Sequence, residues 1–264
     1  MTFPRVIPPL LALAMILVAV PAPAGTPTRA RLQYAGYLVD APVLDARLDV
    51  AIGDGGPYRM SMSTGLVGSL AELVPFHMKA TSQGHDGVAG PRPASYRSEL
   101  SVYDNLQIVT LTYDANGSVH LNDQPPTEEG QDAVARGLLA GTVDPLSAAL
   151  AIMEKVDEAG GCAGRFRIFD GARRYDLALA PPPSGLTPPR LPVAPGAKPF
   201  ACDAAVELVA GFPKFAIDAG MYPRSARFWL ARGVVGPGPA LLRMEAESGL
   251  GRMRLDLRAI LPQP

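Results

Sequence analysis

The sequence predicts a mainly β protein: a curved antiparallel sheet or half-barrel of roughly ten strands with one or two helices. Three observations carry this. Turn formers abound, with 28 prolines and 27 glycines, while charged residues make up only 19% of the chain; that balance suits short strands and tight turns better than a helical bundle. Apolar and polar residues alternate with period two in several segments. No βαβ alternation and no repeat at fixed spacing is present.

The first 24 residues have the form of an export signal. Arg5 supplies a positive start, Leu10 to Val20 is an apolar run, and Ala22-Pro23-Ala24 has the small-x-small form of a cleavage site. The run is short for a membrane span. Gly25 follows, not the Cys of a lipoprotein. The expectation is cleavage near Ala24, a periplasmic protein from 25 to 264 that forms a single β-rich domain, and no transmembrane anchor in the mature chain.

The strands follow in order. Arg31 to Val39 and Val43 to Ile52 are the first pair, and Gly53-Asp54-Gly55-Gly56 turns the chain into Tyr58 to Ser63. Residues 65–74 are ambiguous, since Leu66, Leu70 and Leu73 have helical spacing before Pro75. Phe76 to Ser82 is extended, and Gly84 to Pro93, with three Gly and two Pro, reads as an exposed loop. In Ser95 to Leu121 the β-branched run Leu106 to Tyr113 leads through Asp114-Ala115-Asn116-Gly117 into Ser118 to Leu121.

Asp144-Pro145 starts a helix, with Asp as N-cap and Pro at the first helical position. Leu146, Leu150 and Met153 form its apolar stripe, and Gly160-Gly161 stops it. A second hairpin pairs Arg165–Ile168 with Arg174–Leu179 around Asp170-Gly171. Residues 181–199 carry eight prolines in nineteen positions and form a loop or polyproline stretch. Val206 to Phe212, Ala226 to Ala231 and Leu241 to Glu247 are further strands. In the last, Met253, Leu255, Leu257 and Ala259 face the core, and Arg252, Arg254, Asp256 and Arg258 face water.

A formal net charge of −1 gives no basic excess for nucleic acid. In an oxidising compartment the two cysteines, Cys162 and Cys202, make a disulfide. A catalytic thiol would need a base, and no histidine lies near in sequence. His77, His85 and His120 lack zinc-ligand spacing, so neither metal nor cofactor is expected. No nucleophile elbow or dinucleotide fingerprint is present. Arg173 and Arg174 beside Asp170 and Asp176 read either as an anion clamp or as a hairpin with paired surface charges. Trp229 and Phe228, together with Phe166 and Tyr175, are aromatic strand residues that either pack a core or line an apolar ligand cavity.

Asp144-Pro145-Leu146-Ser147 before a helix, Cys162, the run Ile168 to Leu177 with Asp170-Gly171-Ala172-Arg173-Arg174-Tyr175-Asp176, then Cys202, Gly211-Phe212 and Trp229 resemble a bacterial domain-of-unknown-function family, DUF 3108. The resemblance implies an exported envelope protein without an assigned activity. The family is similar in layout to periplasmic lipoprotein-carrier proteins, whose curved sheet holds an apolar cavity plugged by helices. The expectation is a non-enzymatic binder or carrier of an apolar or lipid-like ligand. Two alternatives stay open: a hydrolase of an envelope polymer using Asp170 and Asp176, and an assembly factor that binds an envelope protein partner through a strand edge.

Overall fold

The computed structural model describes residues 28–53, 56–87, 90–123, 131–158, 161–191, 198–234 and 238–261. The expected signal, residues 1–24, and the centre of the proline-rich stretch, 192–197, lie outside them.

Alternating apolar residues and short turns produce two consecutive meanders. The first comprises β1 (Thr28–Leu38), β2 (Ala41–Ile52), β3 (Pro57–Leu66), β4 (Phe76–His85), β5 (Arg92–Val102), β6 (Asn105–Tyr113) and β7 (Val119–Asp123). The second comprises β8 (Gly164–Phe169), β9 (Arg174–Ala180), β10 (Phe200–Ala210), β11 (Ser225–Arg232), β12 (Pro239–Ser248) and β13 (Gly251–Leu261). Within each, neighbours in sequence are antiparallel neighbours in space, and β13 pairs antiparallel with β1. The result is one 13-stranded sheet that begins at β7 and ends at β8 without closing. Helix α2 (Pro145–Glu158) lies in the connection between the meanders; α1 (Ser69–Leu73) follows β3, and α3 (Lys214–Asp218) follows β10.

The sheet rolls until its last hairpin reaches the inner side of its first half. Gly171, in the β8–β9 turn, has φ +98°, and a Cβ there would lie 2.1 Å from Cγ1 of Val109 on β6. Only glycine fits both the conformation and the approach. Val143 adds a single parallel bridge to Ile168, so the β8 edge is partly covered.

The period-two pattern gives this roll an apolar inside. Ala30, Leu32 and Tyr34 of β1, Tyr58 and Met60 of β3, and Val109 and Leu111 of β6 join one buried cluster with Leu146 and Leu150 of α2. Ala148, Ile152 and Val156 face a second cluster with Ile168, Leu177, Leu230 and both cysteines. Helix α2 is therefore buried on two sides, a wider apolar surface than the stripe Leu146, Leu150 and Met153; Met153 packs at the edge of the second cluster. Each large side chain so buried contributes about 2 kcal/mol. The outer face carries cross-strand ion pairs instead: Arg31–Asp49, Arg227–Asp203, Arg243–Asp256 and Arg165–Asp176, each at 2.6 Å. Alternate turns share an end. The β1–β2, β3–β4, β5–β6, β8–β9, β10–β11 and β12–β13 connections lie at the end that carries α1 and α3; the β2–β3, β4–β5, β6–β7, β9–β10 and β11–β12 connections lie at the Thr28 end, and the β7–β8 connection with α2 runs between the two.

Several sequence expectations need correction. The described residues form 13 strands where roughly ten were expected. Gly84 is no loop breaker: it pairs with Pro93 inside the β4–β5 ladder, because a Cβ at that position would sit 2.2 Å from the Arg92 carbonyl oxygen. The strand expected over Val206 to Phe212 runs from Phe200 to Ala210. Asp256, expected to face water, is buried on the outer face between Arg243 and Arg254. The disulfide is present: Cys162 and Cys202 are bonded, with Cα atoms 5.3 Å apart. No helix among the described residues is long and apolar enough to cross a membrane.

Candidate functional site

Two polar features stand out, one inside the roll and one on its outer face, and one residue belongs to both. The first is a buried network at the start of α2. Asp144 caps the helix, its Oδ1 accepting from the backbone N–H of Leu146 and Ser147, each at 3.0 Å. Its Oδ2 accepts from the hydroxyls of Ser147 at 2.5 Å and of Ser82, on β4, at 3.0 Å. The two serine hydroxyls are 2.9 Å apart, and the Tyr58 hydroxyl lies 2.7 Å from Ser147 Oγ. Asp144, Ser82 and Ser147 are fully buried. Burial pushes the Asp144 carboxyl above its ordinary value, against the pull of the Ser147 and Ser82 hydrogen bonds. Burial likewise pushes the Tyr58 hydroxyl up to about 12. The network contains no histidine and no solvent-facing nucleophile. Its evident effect is to seat the helix N-terminus on β3 and β4.

The second feature is a cleft of about 590 Å³ at the Thr28 end. Its outer-face row follows from strand register: Arg29 pairs with Ala51, Ala51 with Arg59, and Arg59 with Gln83. His85 and Arg92, paired across β4–β5, close one side, and Pro57, Tyr58, Gly84 and Ala94 complete the lining. Arg59 donates to Gln83 Oε1 at 3.0 Å. No acidic side chain lines the cleft, and Arg29, Arg59 and Arg92 make no ion pair among the described residues. Three guanidinium groups with no ion pair among the described residues, set around small apolar residues, favour anions in the cleft. Tyr58 lines this cleft and also hydrogen-bonds Ser147, so the cleft and the helix seat share a side chain.

The residues singled out from sequence lie elsewhere. Phe166, Tyr175 and Phe228 come together against the cluster that contains Ile152 and Val156 of α2. Trp229, next to Phe228 on β11, points to the opposite face; it is buried and donates from its indole nitrogen to Glu245 at 3.1 Å. Arg174 is buried, paired with Asp176 and donating to the Leu138 carbonyl at 3.2 Å. The Arg173 guanidinium lies over the Tyr222 ring at 5.7 Å. Asp170 Oδ1 accepts from the backbone of Ala172 and Arg173 within its own turn. Desolvation acts most strongly on Asp176 and upward, but the hydrogen bonds and charges of Arg174 and Arg165 together outweigh it and hold the carboxyl below its ordinary value. Ile168 to Leu177 is thus held by pairs within the hairpin and by contacts to Leu138, Val143 and Tyr222.

Sequence reasoning found the Asp144 cap but not its partners, which lie 62 and 89 residues away from Asp144 and Ser147 respectively, in Ser82 and Tyr58. The cleft arginines left no local signal, since spaced singly on three strands they look like ordinary outer-face residues.

No family model matches the chain, and no curated protein matches it. Among solved structures, a beta-barrel-like protein of domain of unknown function DUF1849 from Brucella abortus is similar, with 14% identity, 89% of this chain and 97% of that chain covered, and a TM-score of 0.45. The comparisons do not return the DUF 3108 family that the Ile168 to Leu177 motif resembles.

Proposed function

We propose that the protein is an exported, periplasmic, non-enzymatic binder or carrier of an apolar, lipid-like ligand with an anionic head, in keeping with the DUF 3108 resemblance of its sequence. The observation that carries this reading is the sharing of Tyr58 between the arginine-lined cleft and the seat of α2. The head group is received by Arg29, Arg59 and Arg92, and the adjoining apolar part lies along Ala51, Pro57 and Ala94. A ligand that shifts the Tyr58 ring alters its hydroxyl bond to Ser147 and so loosens the helix that fills the roll. Phe166, Tyr175 and Phe228 then supply the apolar wall behind α2.

The test is native purification, solvent extraction and mass spectrometry of any bound lipid, followed by titration with a fluorescent fatty acid. Co-purified lipid, displaced by the probe, is the expected result. Repeatedly empty preparations that also fail to bind the probe would sink the reading.

A further inference from the structure

The two ends of the rolled sheet differ in a way that the cleft does not explain. Val39, Leu73, Tyr103, Leu106, Phe215 and Leu250 are each more than half exposed, and all six lie at the α1–α3 end. They sit on or beside five connections, from β1–β2 through to β12–β13, with Tyr103 and Leu106 sharing the β5–β6 hairpin. At the Thr28 end the described residues include only Leu186, Ile260 and Leu261 among exposed large apolar side chains, none above 41%.

Backbone conformation makes this more than composition. Among the described residues the non-glycine residues with positive φ are Val39 (48°), Asp40 (67°) and Tyr103 (52°), all on tips of this end. The Val39-Asp40 turn has positive φ at both central positions, the conformation that favours Asn-Gly. A β-branched valine there is strained. Two turn positions suited to Asn or Gly therefore hold exposed apolar side chains at a cost in stability. The tips also touch: the Tyr103 hydroxyl donates to the Leu73 carbonyl at 2.8 Å, and a Cβ on Gly251 would meet Val39 Cγ2 at 2.6 Å.

We propose that this end seats the protein on a lipid surface, with the turn tips inserted at the level of the head groups. A bilayer takes apolar tips spread over several connections at one end of the sheet, whereas a protein partner's core requires one continuous patch. The outer wall, with its Arg–Asp pairs, is unsuited to lipid and the inside is apolar, the inverse of a transmembrane barrel. Charge near the tips is mixed: Lys214 pairs with Asp218 and Arg252 with Asp40, and Glu72 and Asp104 adjoin Leu73 and Tyr103 in sequence. Attachment is therefore apolar and insensitive to salt. The inference does not depend on the ligand reading.

The experiment is flotation of the chain beginning at Gly25, which contains every described element, with vesicles of phosphatidylethanolamine and phosphatidylglycerol. Val39→Asn with Tyr103→Asn should lower partition about tenfold. The melting temperature should hold or rise, because asparagine accepts positive φ. Leu73→Ser with Phe215→Ser should lower partition similarly, and Leu186→Ser with Ile260→Ser at the opposite end should not. Absence of vesicle binding, equal losses from both ends, or binding abolished by salt would each overturn the proposal. So would self-association that the tip variants abolish, which would assign the tips to a protein contact. Lipid extraction results are independent of all these outcomes.

Discussion

Helix α2 meets the two meanders through different physics. On the side of β1–β7 it buries Leu146 and Leu150 and is in addition fixed by directional polar bonds, with Asp144 and Ser147 reaching Ser82 and Tyr58 inside the roll. On the side of β8–β13 it packs Ala148, Ile152 and Val156 into an apolar cluster that includes the Cys162–Cys202 crosslink. Arg232 on β11 pairs with Asp157 near the helix end at 2.7 Å. Hydrogen bonds specify one seating and fail together when a member is lost. Apolar burial and a covalent loop tolerate small shifts. The first meander can thus release the helix while the second retains it.

The sharpest way to break this comparison is at the point where the meanders touch directly. Gly171→Ala places a methyl group into Val109 and forces alanine to φ +98°. It should cost about 4 kcal/mol, read as a lowered urea midpoint. Val109→Ala in the same chain should recover the steric part and leave the conformational part. If Gly171→Ala alone is neutral, the meanders are not packed as described. Replacing Cys162 and Cys202 with alanine should cost about 3 kcal/mol, because the loop they close has a sequence separation of 40. That loss should fall on the second meander, detected as faster amide exchange in β8 and β10 than in β3 and β4.

How much of this was legible in sequence differs between the halves for the same physical reason. Local signals sufficed for the Asp170-Gly171 turn, the Asp144 cap and the alternation of β13, because turns, caps and pleats are set by near neighbours. The disulfide followed from compartment chemistry. Ser82 and Tyr58 showed nothing, since their role exists only when β3 and β4 curl over the start of α2. Asp256 was misplaced because alternation assigns a face but not what covers it. Trp229 and Phe228 could not share a cavity, and period two already says so.

Opposite titration of the two sides is a smaller effect. Asp144 has a folded-state pKa raised by burial, so the folded chain holds its proton where the unfolded chain has lost it. Stability then falls as pH rises from the ordinary carboxylate value of 3.8 toward the folded one. Asp176 has a lowered folded-state pKa, so its contribution is full above the ordinary value and is lost as pH falls through the folded one. Asp144→Asn should flatten the first slope and Asp176→Asn the second. Denaturation midpoints between pH 3 and pH 7 decide it, and matching slopes in both variants would refute the opposition.

The cleft arginines should have the least effect on stability and the most on ligand. Arg29, Arg59 and Arg92 are exposed and make no ion pair among the described residues, so nothing in the fold relies on their charge. Three like charges around one cleft repel, and their removal relieves that repulsion. Replacing all three with glutamine should leave stability within about 0.5 kcal/mol, or slightly raise it. The same variant should weaken binding of a fatty-acid probe and remove its salt dependence, because exposed charge attraction is what salt screens. Measuring both on one preparation separates the two ends of Tyr58. A loss of stability would make the arginines part of the helix seat, whereas loss of probe affinity alone keeps them at the mouth of the cleft, acting on α2 only when a ligand is present.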